Sequence, residues 1–279
     1  MKFISSLWIL TIICFYACGK ETIYEGSTPA HPDVRKFLGI SLTDSIDFIR
    51  WKFMMNSNQY KLSCQYGLGK AGTSGFVDEK KVEFSGNLTK QGSYYNLQQK
   101  DKSFYMLAIN SNLLHLLDKN KTLLIGNGGY SYTLNINSPV KTDQFNLPSK
   151  QTPVESSMAF EGRTPCQELS TLLALQKGAA CDKLKWYIIL YMDSLTGKPS
   201  HYIKRGTAFR NQAEGKDKWE VLRSKDGRVI YKLHLEKQNS AIYLLKADNN
   251  ILLFTDAQGN LLVGDENFSY TLNRTKERH

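Results

Sequence analysis

The sequence lacks the short motifs that mark common enzyme and cofactor-binding sites. It contains no HExxH, CxxC or G-x-S-x-G pattern, no P-loop and no glycine-rich dinucleotide fingerprint. Histidine is also scarce, and the 5 histidines are scattered without a partner at metal-ligand spacing. The sequence therefore predicts no catalytic residue and no cofactor, and we expect a protein that is not an enzyme.

The sequence also lacks a dense block of lysine and arginine, although its formal net charge is +10. The cations are spread along the chain, and only the short tail NRTKERH is rich in them. This distribution predicts a solvated basic surface and no nucleic-acid interface. With 41% hydrophobic and 11% aromatic residues, the chain has enough apolar surface for a folded core, which excludes a disordered protein.

The N-terminus has one apolar run, from Phe3 to Tyr16, which is too short to span a bilayer. Lys2 precedes this run and ACGKET follows it, and the whole segment resembles the signal peptide and lipobox of bacterial lipoproteins. The resemblance implies a signal peptide over residues 1–17 and acyl chains such as palmitate on Cys18. Ordinary cleavage after Gly19, which would give a secreted protein, is the alternative. We expect a lipid-anchored envelope protein, at the outer membrane of a Gram-negative bacterium.

An internal repeat organises the rest of the chain. Residues 118–135 align with residues 256–273 at an offset of 138, with 9 of 18 positions identical, including a shared SYTLN string. Upstream, YEGSTP matches FEGRTP, and Trp51 matches Trp186. This self-similarity predicts two units, over 23–137 and 158–275. The segment between them, 138–157, is polar and proline-containing, and it is predicted to be a linker.

Apolar residues alternate with polar residues inside each unit, as in RVIYKLHLEK and NFSYTLN. A period of two with frequent turn signals is typical of antiparallel strands that have one solvated face. We predict an all-β fold of two tandem small antiparallel meander β-barrels, lipocalin-like, with seven or eight strands each; a sandwich is the alternative. Six positions are predicted to form the core that the repeats share, namely Trp51, Tyr132, Leu134, Trp186, Tyr270 and Leu272.

One stretch near the start of each unit breaks the period of two. CQELSTLLALQKG places leucines at helical spacing after Pro165, which predicts one short helix, with Gly178 able to end it. Cys166 precedes the helix and Cys181 follows it. In an oxidising envelope we predict that these two form a disulfide, which the chain-entropy treatment values at about 3 kcal/mol. Unit one has Ala30 at the first cysteine position, and Cys64 is predicted to be a buried free thiol.

The lipobox, TPC at Thr164–Cys166 and the stretch from Leu245 to Asn273 together resemble the NlpE family of copper-resistance and envelope-stress lipoproteins. The resemblance implies a small lipocalin-like barrel. In that family a second cysteine follows the first by three residues, and this CxxC is the proposed copper or redox site. Here Leu169 holds the matching position, which leaves Cys166 and Cys181 as weak metal candidates.

The sequence thus predicts a membrane-anchored binding or sensing module of the envelope stress response. The expected partners are the membrane, through the N-terminal lipid, and a small hydrophobic ligand or an envelope protein. Two alternatives remain open. One is copper or thiol-redox handling through Cys166 and Cys181, and the other is a carrier of a small apolar ligand.

Overall fold

The structure is a computed structural model. It describes residues 21–142, 144–147, 155–173, 181–209, 216–236 and 239–278. Within these ranges the chain folds into two closed barrels of eight antiparallel strands each, which confirms the predicted fold class. In both barrels every strand pairs with its neighbours in sequence and the last strand pairs with the first, so the topology is a meander.

The first barrel begins with β1 and one short helix, α1, before the meander continues. Its elements are β1 Thr22–Thr28, α1 Pro32–Leu38, β2 Phe48–Met55, β3 Gln59–Gly67, β4 Lys80–Gln91, β5 Tyr94–Gln99, β6 Lys102–Ala108, β7 Leu113–Leu116 and β8 Thr133–Ile136. The helix begins where the His31 side chain accepts the Asp33 amide, and it ends at Gly39, whose φ of 72° is left-handed.

The second barrel repeats this order. Its elements are β9 Ser157–Thr164, α2 Gln167–Leu172, β10 Leu184–Met192, β11 Pro199–Arg205, a 3₁₀ turn at Thr207–Phe209, β12 Asp217–Arg223, β13 Val229–Leu235, β14 Ser240–Lys246, β15 Ile251–Thr255 and β16 Thr271–Thr275. The predicted helix after Pro165 is therefore α2, whereas Gly178, the predicted stop, lies outside the described residues.

The first and last strands of each unit meet to close its barrel. Glu25 of β1 is the register partner of Asn135 in β8, and Glu161 of β9 is the partner of Asn273 in β16. The glycine that follows each glutamate permits this approach. A Cβ on Gly26 would lie 2.9 Å from Leu134 Cδ2, and a Cβ at the equivalent glycine of β9 would lie 2.6 Å from a β16 carbonyl. The two strings that recur in the sequence are thus neighbours in space.

The tyrosine of each SYTLN string holds the short helix against its barrel. The backbone amide of Glu168, at the start of α2, donates to the Tyr270 hydroxyl at 3.2 Å. In the first barrel the hydroxyl of Tyr132 has the same kind of backbone hydrogen bond with His31. Burial raises the pKa of both tyrosines, that of Tyr270 to about 12, so both hydroxyls stay neutral.

The predicted core positions are all buried, with exposures from 0% to 3% at Trp51, Tyr132, Leu134, Trp186, Tyr270 and Leu272. Each tryptophan also has a polar partner in its opening strand. Trp51 Nε1 donates to Thr28 Oγ1 at 2.9 Å, and Trp186 Nε1 donates to Thr164 Oγ1 at 2.8 Å. Both barrel interiors are filled by large side chains, including Phe53 in the first and Phe254 in the second.

The two barrels contact each other through their closing strands. The Gly126 amide donates to Asn273 Oδ1 at 2.8 Å, and the Gly264 amide donates to Asn135 Oδ1 at 2.9 Å. Gly126 and Gly264 are equivalent residues of the two repeats, and so are Asn135 and Asn273, so each hydrogen bond is the symmetry mate of the other. The interface is therefore isologous, as in a two-fold symmetric dimer.

Residues nearest to the pseudo-two-fold axis contact their own equivalents. The hydroxyls of Ser131 and Ser269, which are 138 residues apart, lie 2.6 Å from each other. The Thr271 hydroxyl lies 3.1 Å from that of Thr133 at the same offset. The SYTLN string therefore has two roles, because its tyrosine and leucine enter the core while its serine, threonine and asparagine join the barrels.

An apolar cluster extends this interface to one side. It consists of Leu107, Ile109, Leu113, Leu117, Leu123, Leu245, Ala247, Ile251, Leu253 and Leu261. Phe145 and Leu147 of the predicted linker pack against it, and Arg228 lies 4.1 Å from the Phe145 ring centroid. This part of the linker thus belongs to the interface, because its two apolar side chains gain burial there.

Candidate functional site

The cysteine prediction is confirmed, because Cys166 and Cys181 form a disulfide with their Cα atoms 6.0 Å apart. The bond joins the start of α2 to the segment before β10. Cys166 and Leu169 are both buried in the core of the second barrel. The leucine at the position of the second NlpE-type cysteine is therefore a packing residue here. Among the described residues no group of three or more His, Cys, Asp or Glu side chains could hold a metal ion.

The remaining predicted positions are placed as follows. Cys18 and the predicted signal peptide lie outside the described residues. Cys64 is a free, buried cysteine, and burial raises its thiol pKa well above the usual value. No helix in the described ranges is long and apolar enough to cross a membrane.

The first barrel has a cavity of about 600 Å³ at the end formed by the β2–β3 hairpin. Ten residues line it, namely Glu21, Met54, Met55, Asn56, Gln59, Tyr60, Lys61, Ser85, Gly86 and Asn87. Met55 and Tyr60 are on the side of the barrel core, whereas Met54 and Lys61 are on the opposite face of their strands. The cavity therefore lies at the barrel rim, where inward-facing and outward-facing side chains meet.

Tyr60 forms the buried end of this cavity. Its side chain is 1% exposed, its hydroxyl is 3.4 Å from the Gln98 carbonyl, and burial raises its pKa to about 12. Gly86 leaves room for this ring, because a Cβ there would lie 2.8 Å from the Tyr60 hydroxyl and 2.1 Å from the Gln98 oxygen. The hydroxyl is thus a neutral hydrogen-bonding group at the buried end of the cavity.

Among the described residues, the second barrel has larger side chains at the corresponding rim. Tyr202 is the counterpart of Tyr60, because its hydroxyl also donates to a carbonyl, that of His234 at 2.7 Å. The register partner of Tyr202 is Asp217, whereas the register partner of Tyr60 in the first barrel is Gly86. Two residues further on, Trp219 replaces Leu88, and its indole stacks edge-on against Tyr231 at 5.1 Å. These larger side chains explain why the copies differ at this rim.

A buried ion pair accompanies this difference. Lys204 Nζ contacts Asp217 Oδ2, and the two side chains are 6% and 16% exposed. The ammonium also lies 5.8 Å and 5.4 Å from the ring centroids of Tyr202 and Phe209. Sequence reasoning missed this pair. Its signal was available, because Lys204 is two residues from Tyr202 and so shares its inward face.

The polar groups around the cavity of the first barrel come in both signs. Glu21 and Lys61 can pair with a charged ligand group, and Asn56, Gln59 and Asn87 offer amides. The two methionines supply apolar, adaptable surface. The arrangement suits an amphipathic small molecule.

No protein-family model, curated protein or solved structure matches this chain.

Proposed function

We propose that this protein is a non-enzymatic, lipid-anchored binding and sensing module of the bacterial cell envelope. It binds a small amphipathic ligand at the rim of its first barrel. The observation that carries this proposal is the asymmetry of the repeat, since the first barrel has a cavity of about 600 Å³ where the second has Asp217 and Trp219.

The envelope setting has two supports. The lipobox resemblance at Ala17 and Cys18 supports a lipid anchor. The disulfide between Cys166 and Cys181 is typical of an oxidising compartment. The NlpE-like resemblance adds the role in sensing envelope stress.

Filling the cavity should weaken ligand binding. Met55 lines the cavity from the core side and is only partly buried, so tryptophan in its place fills part of the space. We expect the Met55→Trp protein to bind the neutral fluorescent probe N-phenyl-1-naphthylamine at least about fivefold more weakly than the wild type. Probe fluorescence titrated against purified protein measures this change.

Met192 provides the matched control. It is a partly buried methionine near the equivalent rim of the second barrel and does not line the cavity. Met192→Trp should bind the probe like the wild type. Equal probe binding by all three proteins, or none by the wild type, would contradict a ligand site at this rim.

The lipid anchor is tested separately at Cys18. Serine cannot accept the thioether-linked lipid, so Cys18→Ser should move the protein from the membrane fraction to the soluble fraction of fractionated cells. Immunoblots of both fractions give the result. Continued membrane partition of the serine variant would refute an anchor at this residue, whatever the rim cavity binds.

A further inference from the structure

The rim cavity lies close in the chain to the proposed lipid anchor. Glu21, the residue just before β1, lines this cavity, and Cys18 precedes it by three residues. Three residues span at most about 11 Å even when they are fully extended, so the two Cα atoms cannot be further apart than that. The cavity is therefore close to any lipid that Cys18 carries, whichever path the chain takes between them.

A lipid on Cys18 sets the height of the cavity above the membrane. The acyl chains lie in the hydrocarbon core, and the polar layer above this core is about 5 to 8 Å thick on each face of a bilayer. Glu21 then lies within this polar layer or a few ångströms above it. The rim of the first barrel thus faces the phospholipid headgroups of the membrane that holds the protein.

The lining of the cavity offers charges of both signs. Glu21 supplies a carboxylate and Lys61 supplies an ammonium group, and neither forms an ion pair within the described part of the chain. Asn56 Oδ1 accepts the backbone amides of Asn58 and Gln59, which leaves the Asn56 amide nitrogen as a donor. A ligand that carries both an anion and a cation is complementary to this lining.

The two charges are absent from the equivalent positions of the second barrel. Ile203 stands at the position of Lys61, and Ser157 stands at the position of Glu21. Both equivalences follow from the strand registers of the two barrels. Charges needed only for the shared fold would recur in both repeats. These two instead coincide with the cavity, in the repeat that follows Cys18.

We propose that the rim cavity binds the headgroup of a zwitterionic phospholipid, such as phosphatidylethanolamine, from the membrane in which the protein is anchored. Lys61 and the Asn56 amide donate to the phosphate, and the Glu21 carboxylate accepts from the ammonium group of the lipid. Met54 and Met55 contact the glycerol and the first methylenes of the acyl chains. This inference rests on the proposed function, because it assigns a ligand class to the same cavity and uses the same anchor.

The headgroup is a second attachment point beside the covalent lipid. Because the anchor keeps the cavity at the membrane surface, the effective concentration of headgroups at the rim is high. A weak affinity for one headgroup therefore suffices to hold the rim against the membrane. The loop between β3 and β4 is at the opposite end of the first barrel, so Val77, which is 60% exposed, points away from the membrane.

Isothermal titration with short-chain phospholipids tests the ligand class. Full-length Cys18→Ser protein is titrated with dihexanoylphosphatidylethanolamine and with dihexanoylphosphatidylglycerol, which has the phosphate but no ammonium group. We expect the ethanolamine lipid to bind about tenfold more tightly. Lys61→Gln should weaken the binding of both lipids severalfold, whereas Glu21→Gln should remove the preference between them. Lys119→Gln removes an exposed lysine that does not line the cavity, and it should change neither affinity.

The outcomes separate this inference from the proposed function. If N-phenyl-1-naphthylamine binds the wild type and Met55→Trp weakens that binding, while neither phospholipid binds, the rim is a ligand site and the phospholipid assignment is overturned. Failure of the probe and of both phospholipids to bind would refute the ligand site as well. Equal affinities of the wild type for the two phospholipids, or unchanged affinities in Glu21→Gln and Lys61→Gln, would also overturn the headgroup assignment.

Photo-crosslinking in membranes tests the position of the cavity. Met54→p-benzoylphenylalanine and Val77→p-benzoylphenylalanine are made in the lipidated full-length protein, and the cells are irradiated. Mass spectrometry of the purified proteins should show a phospholipid adduct at position 54 and none at position 77. Adding Cys18→Ser should reduce the adduct at position 54 at least severalfold. No adduct at position 54, an equal adduct at position 77, or an adduct that Cys18→Ser leaves unchanged would overturn the placement of the rim at the membrane.

Discussion

Replacing Lys204 with leucine is expected to lower the free energy of unfolding by about 3 kcal/mol. The substitution leaves Asp217 without its cation on the inward side of the second barrel, where its side chain is 16% exposed. A charge that has lost both water and its partner is strongly unfavourable. Tyr202 is the other polar group beside Asp217. Its hydroxyl can hydrogen-bond this carboxylate or the His234 carbonyl, but it carries no charge that could replace the ammonium.

The first barrel shows how the pair can be removed without this loss. Leu62 stands where the second barrel has Lys204, and Gly86 stands where it has Asp217, so neither charge is present. We therefore expect the free energy of unfolding of the Lys204→Leu/Asp217→Ala double variant to lie less than about 1 kcal/mol below that of the wild type. Replacing both partners of a buried ion pair by apolar groups is often neutral.

Urea unfolding of the wild type, both single variants and the double variant gives a double-mutant cycle. Urea is used because guanidinium chloride would screen the pair. We expect a coupling free energy of about 2 kcal/mol or more between the two sites. A Lys204→Leu protein as stable as the wild type would show that water solvates Asp217 in the folded state.

The two barrels could be predicted from the sequence because a closed barrel imposes patterns on residues that are close together in the chain. Side chains that enter a barrel alternate with those that leave it, and the opening and closing strands must approach closely. Tyr132 and Tyr270 meet the first requirement because they are buried, and Gly26 and Gly162 meet the second. Since each repeat must close a barrel of the same kind, the same strings recur in both.

No such local pattern in the sequence predicts the interface or the candidate sites. Alternation shows which side chains point outward, but it does not show what the outer face contacts. Ser131, Thr133 and Asn135 have the pattern of solvated positions, yet they are buried between the barrels. The rim cavity likewise depends on Gly86 of β4 lying opposite Tyr60 of β3, which requires the register that only the fold provides.

A buried hydrogen-bond chain crosses the interface and ends at a histidine. Ser269 donates to Thr271 at 2.9 Å, Thr271 donates to Thr133 at 3.1 Å, and the Thr133 hydroxyl lies 3.0 Å from His115 Nδ1. His115 Nε2 is 2.9 Å from the Leu124 carbonyl, which can only accept. The neutral tautomer with its proton on Nε2 therefore satisfies every member of the chain.

Burial lowers the pKa of His115 to about 4 in the folded protein, against about 6.5 in an unfolded chain. Below pH 6.5 the unfolded state binds a proton that the folded state does not, so stability falls as the pH is lowered. The loss from this group begins near pH 6.5 and is complete below pH 4, where it reaches about 3 kcal/mol. A proton on Nδ1 would also point at the Thr133 hydroxyl, which donates its own proton to that nitrogen in the neutral state. The donors and acceptors of the chain would then have to be reversed.

Urea unfolding at several pH values between 7 and 4 measures this loss. Leu253 occupies the equivalent position in the second repeat, so His115→Leu is the natural replacement and should remove most of the extra acid sensitivity. His115→Gln, which keeps an acceptor for Thr133, guards against a general loss of folding. If His115→Leu loses stability with acid as steeply as the wild type, the interfacial histidine is not the group that titrates, and carboxylates must account for the slope.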